Sequence, residues 1–240
     1  MVKSAVLGIT DEDRATIGQA ITRAEAHTSG EIFVVVSRRS ADYVWVFGIY
    51  AALAALLIPT ALVLFLGLDP VSLGASLDRL QAGGWEIGLG ATPRDEATAG
   101  LLMIVTLQAL IMSAISALGL SANLRRILVP SWIKRQRVHQ AACDQFLAHG
   151  LHHTSGKTGV LIYVSLAEQQ AEIIADKAIH AKVAAQTWSH VLGRLVLAAR
   201  EGNLVAGLVI SIEECGTLLG NHFPRSADDK DELPNRIVVI

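Results

Sequence analysis

The chain has 240 residues, 52% of them hydrophobic, and a mean hydropathy of +0.44. That is too apolar for an ordinary soluble domain and points to membrane-crossing segments. The formal charge of −2 gives no electrostatic basis for binding nucleic acid. Cys143 and Cys215 lie far apart in amphipathic stretches and read as small buried hydrophobes, so free thiols are predicted.

The opening "MVKSAVLGITDEDRA" has neither an apolar h-region nor a small-residue cleavage site, so no signal peptide is expected. Thr10 suits a helix N-cap with Asp11, Glu12 and Asp13 in the first turn, and Ile17, Ile21 and Ala24 fall on one helical face. His27–Gly30, "HTSG", follows, with Gly30 suited to the turn that ends the helix. "EIFVVVS" is nearly continuous in apolar residues, as expected of a strand covered on both faces.

Val44–Leu68 carries no charge over 25 residues, and Ala97–Leu120 is a second uncharged run. About 20 apolar residues cross a hydrocarbon core, so each is predicted to span. Pro59 is expected to kink the first span, and Tyr43 and Trp45 mark one interface. Ala109, Ser113, Ala117 and Ser121, with Gly48, Ala52 and Ala55, form rows of small residues that would let two helices approach as a hairpin. Gln108 reads as a helix–helix hydrogen-bonding group.

The connecting loop, 69–96, carries Arg79 and Arg94 against Asp69, Asp78, Glu86, Asp95 and Glu96, and Trp85 is expected at the membrane surface. Arg38 and Arg39 precede the hairpin, and Arg125, Arg126, Lys134, Arg135 and Arg137 follow it. The positive-inside rule then puts both flanks, and both termini, in the cytoplasm, with two spans in the cell membrane.

Ser131–His149 reads as a helix with Ile133, Val138, Ala142, Cys143 and Phe146 inward, stopped by Gly150. "HTSG" returns at His153–Gly156, before the strand "GVLIYVS". "QAEIIAD" then reads as a short antiparallel strand. Gln186–Glu201 and Leu204–His222 are amphipathic helices, and 225–240, with "SADDKDELPNR", reads as a mobile tail.

One helix and one strand in residues 1–43 cannot bury enough surface to fold alone. Two spans return the chain to the side it left, so that strand joins the sheet formed after residue 130 as a parallel neighbour. The fold expected is α/β: a three-layer α/β/α sandwich with a mixed sheet, interrupted by a two-helix transmembrane hairpin. Its parts are 1–43, the hairpin 44–120, the remainder 121–224 and the tail 225–240.

"TSGEIFVVVS" and "TGVLIYVSLAEQQAEIIADKAIHAKV", followed by an amphipathic helix around Trp188, resemble the TPM domain family over about residues 10–43 and 130–222. The resemblance implies an α/β/α domain tethered to a membrane, acting as an auxiliary or scaffold of a membrane complex. Acid phosphatase activity and calcium binding are also implied, the latter at the far end of the "QAEIIAD" strand.

"GLHHTSGKT" has five residues between Gly150 and Gly156 where a phosphate loop has four, and it leads into a strand, so no nucleotide is expected. Gly150 breaks any helical spacing of His149, His152 and His153, which read as a solvated loop rather than metal ligands. Glu168, Glu172 and Asp176 are the remaining candidates. Glu172 and Asp176 would share a face of an extended strand and offer the carboxylates calcium needs, although calcium wants six or more oxygens. Phosphatase chemistry finds neither a nucleophile–base pair nor a dense carboxylate cluster in the sequence, and Asp228–Glu232 reads as solvated. The leading expectation is a partner-binding module beside the lipid bilayer and a membrane protein partner. A weak metal-dependent membrane-tethered acid phosphatase is the rival.

Overall fold

The computed structural model describes residues 8–67, 93–121, 124, 127–154, 156–226 and 231–240. The chain divides into two compact units, one made of Met1–Ala41 with Pro130–Ile240 and the other of Asp42–Val129.

In the first unit, α1 (Asp11–Glu25) opens with a capping box. The Thr10 hydroxyl accepts from the Asp13 N–H at 3.1 Å, and the Asp13 carboxylate accepts from the Thr10 N–H at 2.8 Å. Ile17, Ala20, Ile21 and Ala24 bury one face. The strand β1 (Glu31–Ser37) follows and is buried at all seven positions. After the second unit come α4 (Ser131–Ala148), a turn of 3-10 helix (Leu151–His153), β2 (Gly159–Ser165) and β3 (Gln170–Ala175). Then follow the short α5 (Lys177–His180), α6 (Ala185–Arg200), α7 (Leu204–His222) and β4 (Ile237–Val239).

The four strands form one mixed sheet in the order β3-β2-β1-β4. β1 runs parallel to β2 with Val35 opposite Tyr163, and parallel to β4 with Val35 opposite Val238. β3 is antiparallel to β2. Alternation along the strands sorts the core in two. Ile32, Val34, Val36, Val160, Ile162 and Val164 cluster with apolar residues of α1, α6 and α7, such as Ile21, Leu195 and Ile212. Phe33, Val35, Leu161 and Tyr163 cluster with Val138, Ala142 and Phe146 of α4. A nearly unbroken apolar run is what such a strand requires, since both neighbouring residues must leave water.

α7 packs against α1 and α6. Two glycines permit the approach: a Cβ on Gly216 would lie 2.6 Å from Ala24 Cβ, and one on Gly207 2.7 Å from Ala198 Cβ. Among the described residues, α7 is one of three helices long and apolar enough to cross a membrane, with Val44–Phe65 and Gly100–Leu118, yet Leu208, Ile212, Cys215 and Leu219 are spent in the core.

Three sequence expectations need correction. The tail 225–240 contains β4, where the Ile240 N–H donates to the Val36 carbonyl at 3.0 Å and Ile240 O accepts from the Arg38 N–H at 2.8 Å. Ile237 completes the core, which is the physical reason that this segment docks. Gly30 does not adopt a left-handed conformation. It is small because a Cβ there would come within 2.9 Å of Leu219. Cys143 is half-buried rather than buried, while Cys215 is fully buried, and both thiols are free.

The second unit contains α2 (Val44–Leu66) and α3 (Pro93–Leu118), which pack on one another. Pro59 lies inside α2. The buried line of α2 runs Phe47, Ala51, Ala55 and Pro59, and the least exposed line of α3 runs Met103, Leu107, Ile111 and Ile115. The rows Ala109–Ser113–Ala117 and Gly48–Ala52 are instead exposed, so of the small residues expected at the seam only Ala55 lies there; Gln108 is half-buried. Large apolar side chains face outward elsewhere, among them Leu57, Leu64, Phe65, Leu101 and Leu110. The loop 69–92 with Arg79 and Trp85, the side chain of Arg94, and Arg125 and Arg126 fall outside the described residues.

Candidate functional site

The sheet carries buried carboxylates at both ends of the parallel pair β1–β2. At the carboxyl end, Glu168 in the β2–β3 turn is 8% exposed. Its carboxylate accepts from the Ser165 hydroxyl and from the Ser40 N–H at 3.2 Å. The Ser40 hydroxyl meets the Tyr163 hydroxyl at 3.0 Å, and the Ser37 hydroxyl donates to Arg39 O at 2.9 Å. Glu168 is thereby committed to fixing the chain as it leaves β1.

At the amino end, Glu25, Glu31 and Asp231 converge, and one carboxylate oxygen from each lies within 4.8 Å of the others. Glu25 closes α1 and accepts from the Ile32 N–H at 2.9 Å. Glu31 opens β1 and is 7% exposed. Its Oε1 accepts from the Glu232 N–H at 3.1 Å, while its Oε2 is buried with no partner. Asp231 arrives from the segment before β4, and its Oδ2 accepts from Asn235 Nδ2 at 3.2 Å. Burial, and then the Glu31 and Asp231 charges, push the Glu25 carboxyl up to about 8 against the pull of the Ile32 N–H. Burial chiefly, then Asp231, also raises Glu31. This is the one group of three metal-ligating side chains among the described residues.

The structure does not bring the expected candidates Glu172 and Asp176 into such a group. Glu172 Oε1 pairs with His139 Nδ1 at 2.9 Å. Asp176 Oδ1 accepts from the Lys177 N–H at 2.6 Å, capping α5, and its Oδ2 is buried and unpartnered. His149 stacks on Phe33 with ring centroids 4.5 Å apart, and His152 on His153 at 3.8 Å. Burial and the Arg236 charge lower the His149 pKa.

The "HTSG" pair serves the helix-to-strand turns. The Thr28 hydroxyl donates to Phe223 O at 2.7 Å and accepts from the Gly30 N–H at 3.0 Å. The Thr154 hydroxyl accepts from the Thr158 N–H at 3.2 Å. Thr158 then joins the two turns by donating its hydroxyl to Ser29 O at 2.8 Å.

Cys143 Sγ lies 3.7 Å from His139 Nε2, whose other nitrogen meets Glu172. Thiol, imidazole and carboxylate in that order form a nucleophile relay when the thiol is activated. Here burial first, then the Glu172 and Asp144 charges, raise the Cys143 pKa and disfavour the thiolate. Cys143 also sits inside α4, where backbone N–H groups are used by the helix and cannot serve an oxyanion. The trio holds an imidazole in place rather than composing a reaction centre.

Fold and site define an α/β domain with a mixed four-stranded sheet, interrupted by a unit of two apolar helices. Among solved structures, the chain is similar to the NMR structure of the BA42 protein from the psychrophilic bacterium Bizionia argentinensis, with a TM-score of 0.55, 22% identity and complete coverage of both chains. At that identity the likeness shows a shared fold. No protein-family model matches the chain, and no curated protein matches it.

Proposed function

We propose that the chain is an integral membrane protein in which α2 and α3 form a transmembrane hairpin inserted into a TPM-like, three-layer α/β/α domain. The domain serves as an auxiliary, partner-binding module of a membrane complex. One observation carries this reading: α2 and the Gly100–Leu118 part of α3 have no Asp, Glu, Lys, Arg or His, and their outward faces are lined by Leu, Ile, Val and Phe. Such a surface is stable against hydrocarbon and not against water. α7 has the length of a span, but Glu213 and Glu214 sit within it and its apolar face fills the core, so two spans are proposed. The basic flanks support a cytoplasmic domain.

The module reading is supported by chemistry as well. The polar clusters at Glu168 and at Cys143–His139–Glu172 are occupied with internal bonds. Cysteine variants near each terminus, labelled by an impermeant maleimide in sealed inverted vesicles, are expected to react without detergent. Labelling only after permeabilisation would refute the orientation. Chemical cross-linking in those vesicles is expected to trap one stoichiometric membrane protein partner, and a chain that stays uncross-linked and monomeric would refute the module.

The rival reading, a weak metal-dependent acid phosphatase, is favoured by the three carboxylates at the amino end of β1. It requires hydrolysis of p-nitrophenyl phosphate by the detergent-solubilised chain with calcium, magnesium or manganese. No turnover between acid and neutral pH removes it.

A further inference from the structure

His139 and Cys143 stand one helical turn apart on α4, so their side chains are neighbours on one face. Glu172 reaches that face from β3, two residues before Ile174, which packs against the cluster of Val138, Ala142 and Phe146. Glu172 Oε1 lies 2.9 Å from His139 Nδ1, and Cys143 Sγ lies 3.7 Å from His139 Nε2. A carboxylate accepts and does not donate, so Nδ1 carries the hydrogen. A neutral imidazole then keeps its Nε2 lone pair for the sulfur side.

Two features meet on this imidazole. A tetrahedral zinc ion, about 2.3 Å from a thiolate sulfur and about 2.0–2.1 Å from an imidazole nitrogen, holds those two atoms about 3.6 Å apart. The 3.7 Å between Sγ and Nε2 is already that bite. Imidazoles that bind metals also give their other N–H to a carboxylate, carbonyl or water, which orients the ring and makes the ligating nitrogen more basic. Glu172 stands in that place.

We propose that His139 Nε2 and Cys143 Sγ bind a zinc ion at the surface of α4, with Glu172 orienting the imidazole from β3. The ion replaces the thiol proton, which leaves to solvent, and both new bonds use lone pairs of the protein without transfer of electrons. Thiolate and imidazole select zinc over calcium and magnesium, which take oxygen. Burial and the Glu172 and Asp144 charges disfavour a bare thiolate at Cys143, and the same two charges attract a dication to it. The imidazole is 58% exposed, so the remaining coordination positions open to water. A bound ion draws charge from the ring, strengthens the His139–Glu172 hydrogen bond and so ties α4 to β3. The site is independent of the membrane reading and shares no residue with the carboxylates at the amino end of β1.

The test uses the full chain in detergent, its thiols kept reduced by a phosphine, titrated with cobalt(II). Cobalt takes the tetrahedral sites of zinc and reports a bound thiolate by a charge-transfer band in the near ultraviolet. Cys215 is fully buried in the core, so the band reads Cys143. The band is expected to saturate at one cobalt per chain and to be bleached by an equal amount of zinc, which binds more tightly. Cys143→Ser is expected to abolish it, and His139→Ala and Glu172→Gln to weaken cobalt binding by about tenfold or more. None of the three residues is fully buried, so the variants retain the fold, as circular dichroism will verify. No band up to about 1 mM cobalt, a band that survives Cys143→Ser, an affinity indifferent to Glu172→Gln, or bleaching by calcium or magnesium would each overturn the proposal.

Discussion

Glu168 and Glu31 are buried to nearly the same degree, at opposite ends of the same pair of strands, and they differ in what surrounds them. Glu168 has a serine hydroxyl and a backbone N–H on its carboxylate. Glu31 has the backbone N–H groups of Glu232 and Leu233 on its carboxylate, two acidic neighbours, and one oxygen buried without a partner. Burial alone therefore does not mark a site. What separates the two carboxylates is an unmet hydrogen-bonding valence beside like charges, which makes the buried charge at Glu31 the costlier one.

The comparison can be broken most forcefully at its satisfied end. Glu168→Ala strands the Ser40 N–H and the Ser165 hydroxyl, and is expected to cost about 3 kcal/mol in urea melts; a loss below about 0.5 kcal/mol would mean that Glu168 is as poorly partnered as Glu31. Gly216→Ala, which places a methyl 2.6 Å from Ala24 Cβ, sets the scale of a pure packing insult at about 2 kcal/mol in the same assay.

At the unsatisfied end the sign is reversed. Glu25 is raised from 4.5 to about 8, so in that window the folded chain holds a proton that the unfolded chain has released. The contribution of Glu25 to stability is then fully present below pH about 4.5 and is lost as pH rises through about 8. Glu25→Gln, which cannot ionise, should flatten that slope and stabilise the chelated protein at pH 8.5 by about 1–2 kcal/mol, discounted from the full linkage value for partial solvent access. Thermal melts in chelator across pH check this, and a rising slope would contradict it. The smallest effect belongs to the exposed pair: His139→Ala, with the imidazole 58% exposed, should change stability by less than about 0.5 kcal/mol.

The sheet's centre was legible because it obeys one rule without exceptions. "EIFVVVS" and "GVLIYVS" hold the apolar runs Ile32–Val36 and Val160–Val164, and each strand extends one residue beyond its run at either end. β4 was not legible, because "IVV" is three residues long and follows a charged stretch, and its register is set only by contact with β1. Missing β4 also hid the carboxylate group, since Asp231 read as part of a solvated tail. The local hint was "EAHTSGE", which brackets a tight helix-to-strand turn with two glutamates that the turn draws together. The seam between α2 and α3 was misplaced because small residues recur on more than one face of each helix, and periodicity alone does not choose among them.

Val34 pairs with Ile162 on one side and Ile237 on the other, both of them made long after it. As the chain leaves the ribosome, β1 emerges first and waits with both edges bare while α2, α3 and most of the domain are translated. Native pairing cannot begin until β2 appears, and the second edge stays open until β4 follows. Until then the unpaired edges of β1 are open to mispairing, the kind of exposure that favours aggregation during synthesis, and it follows from the strand order.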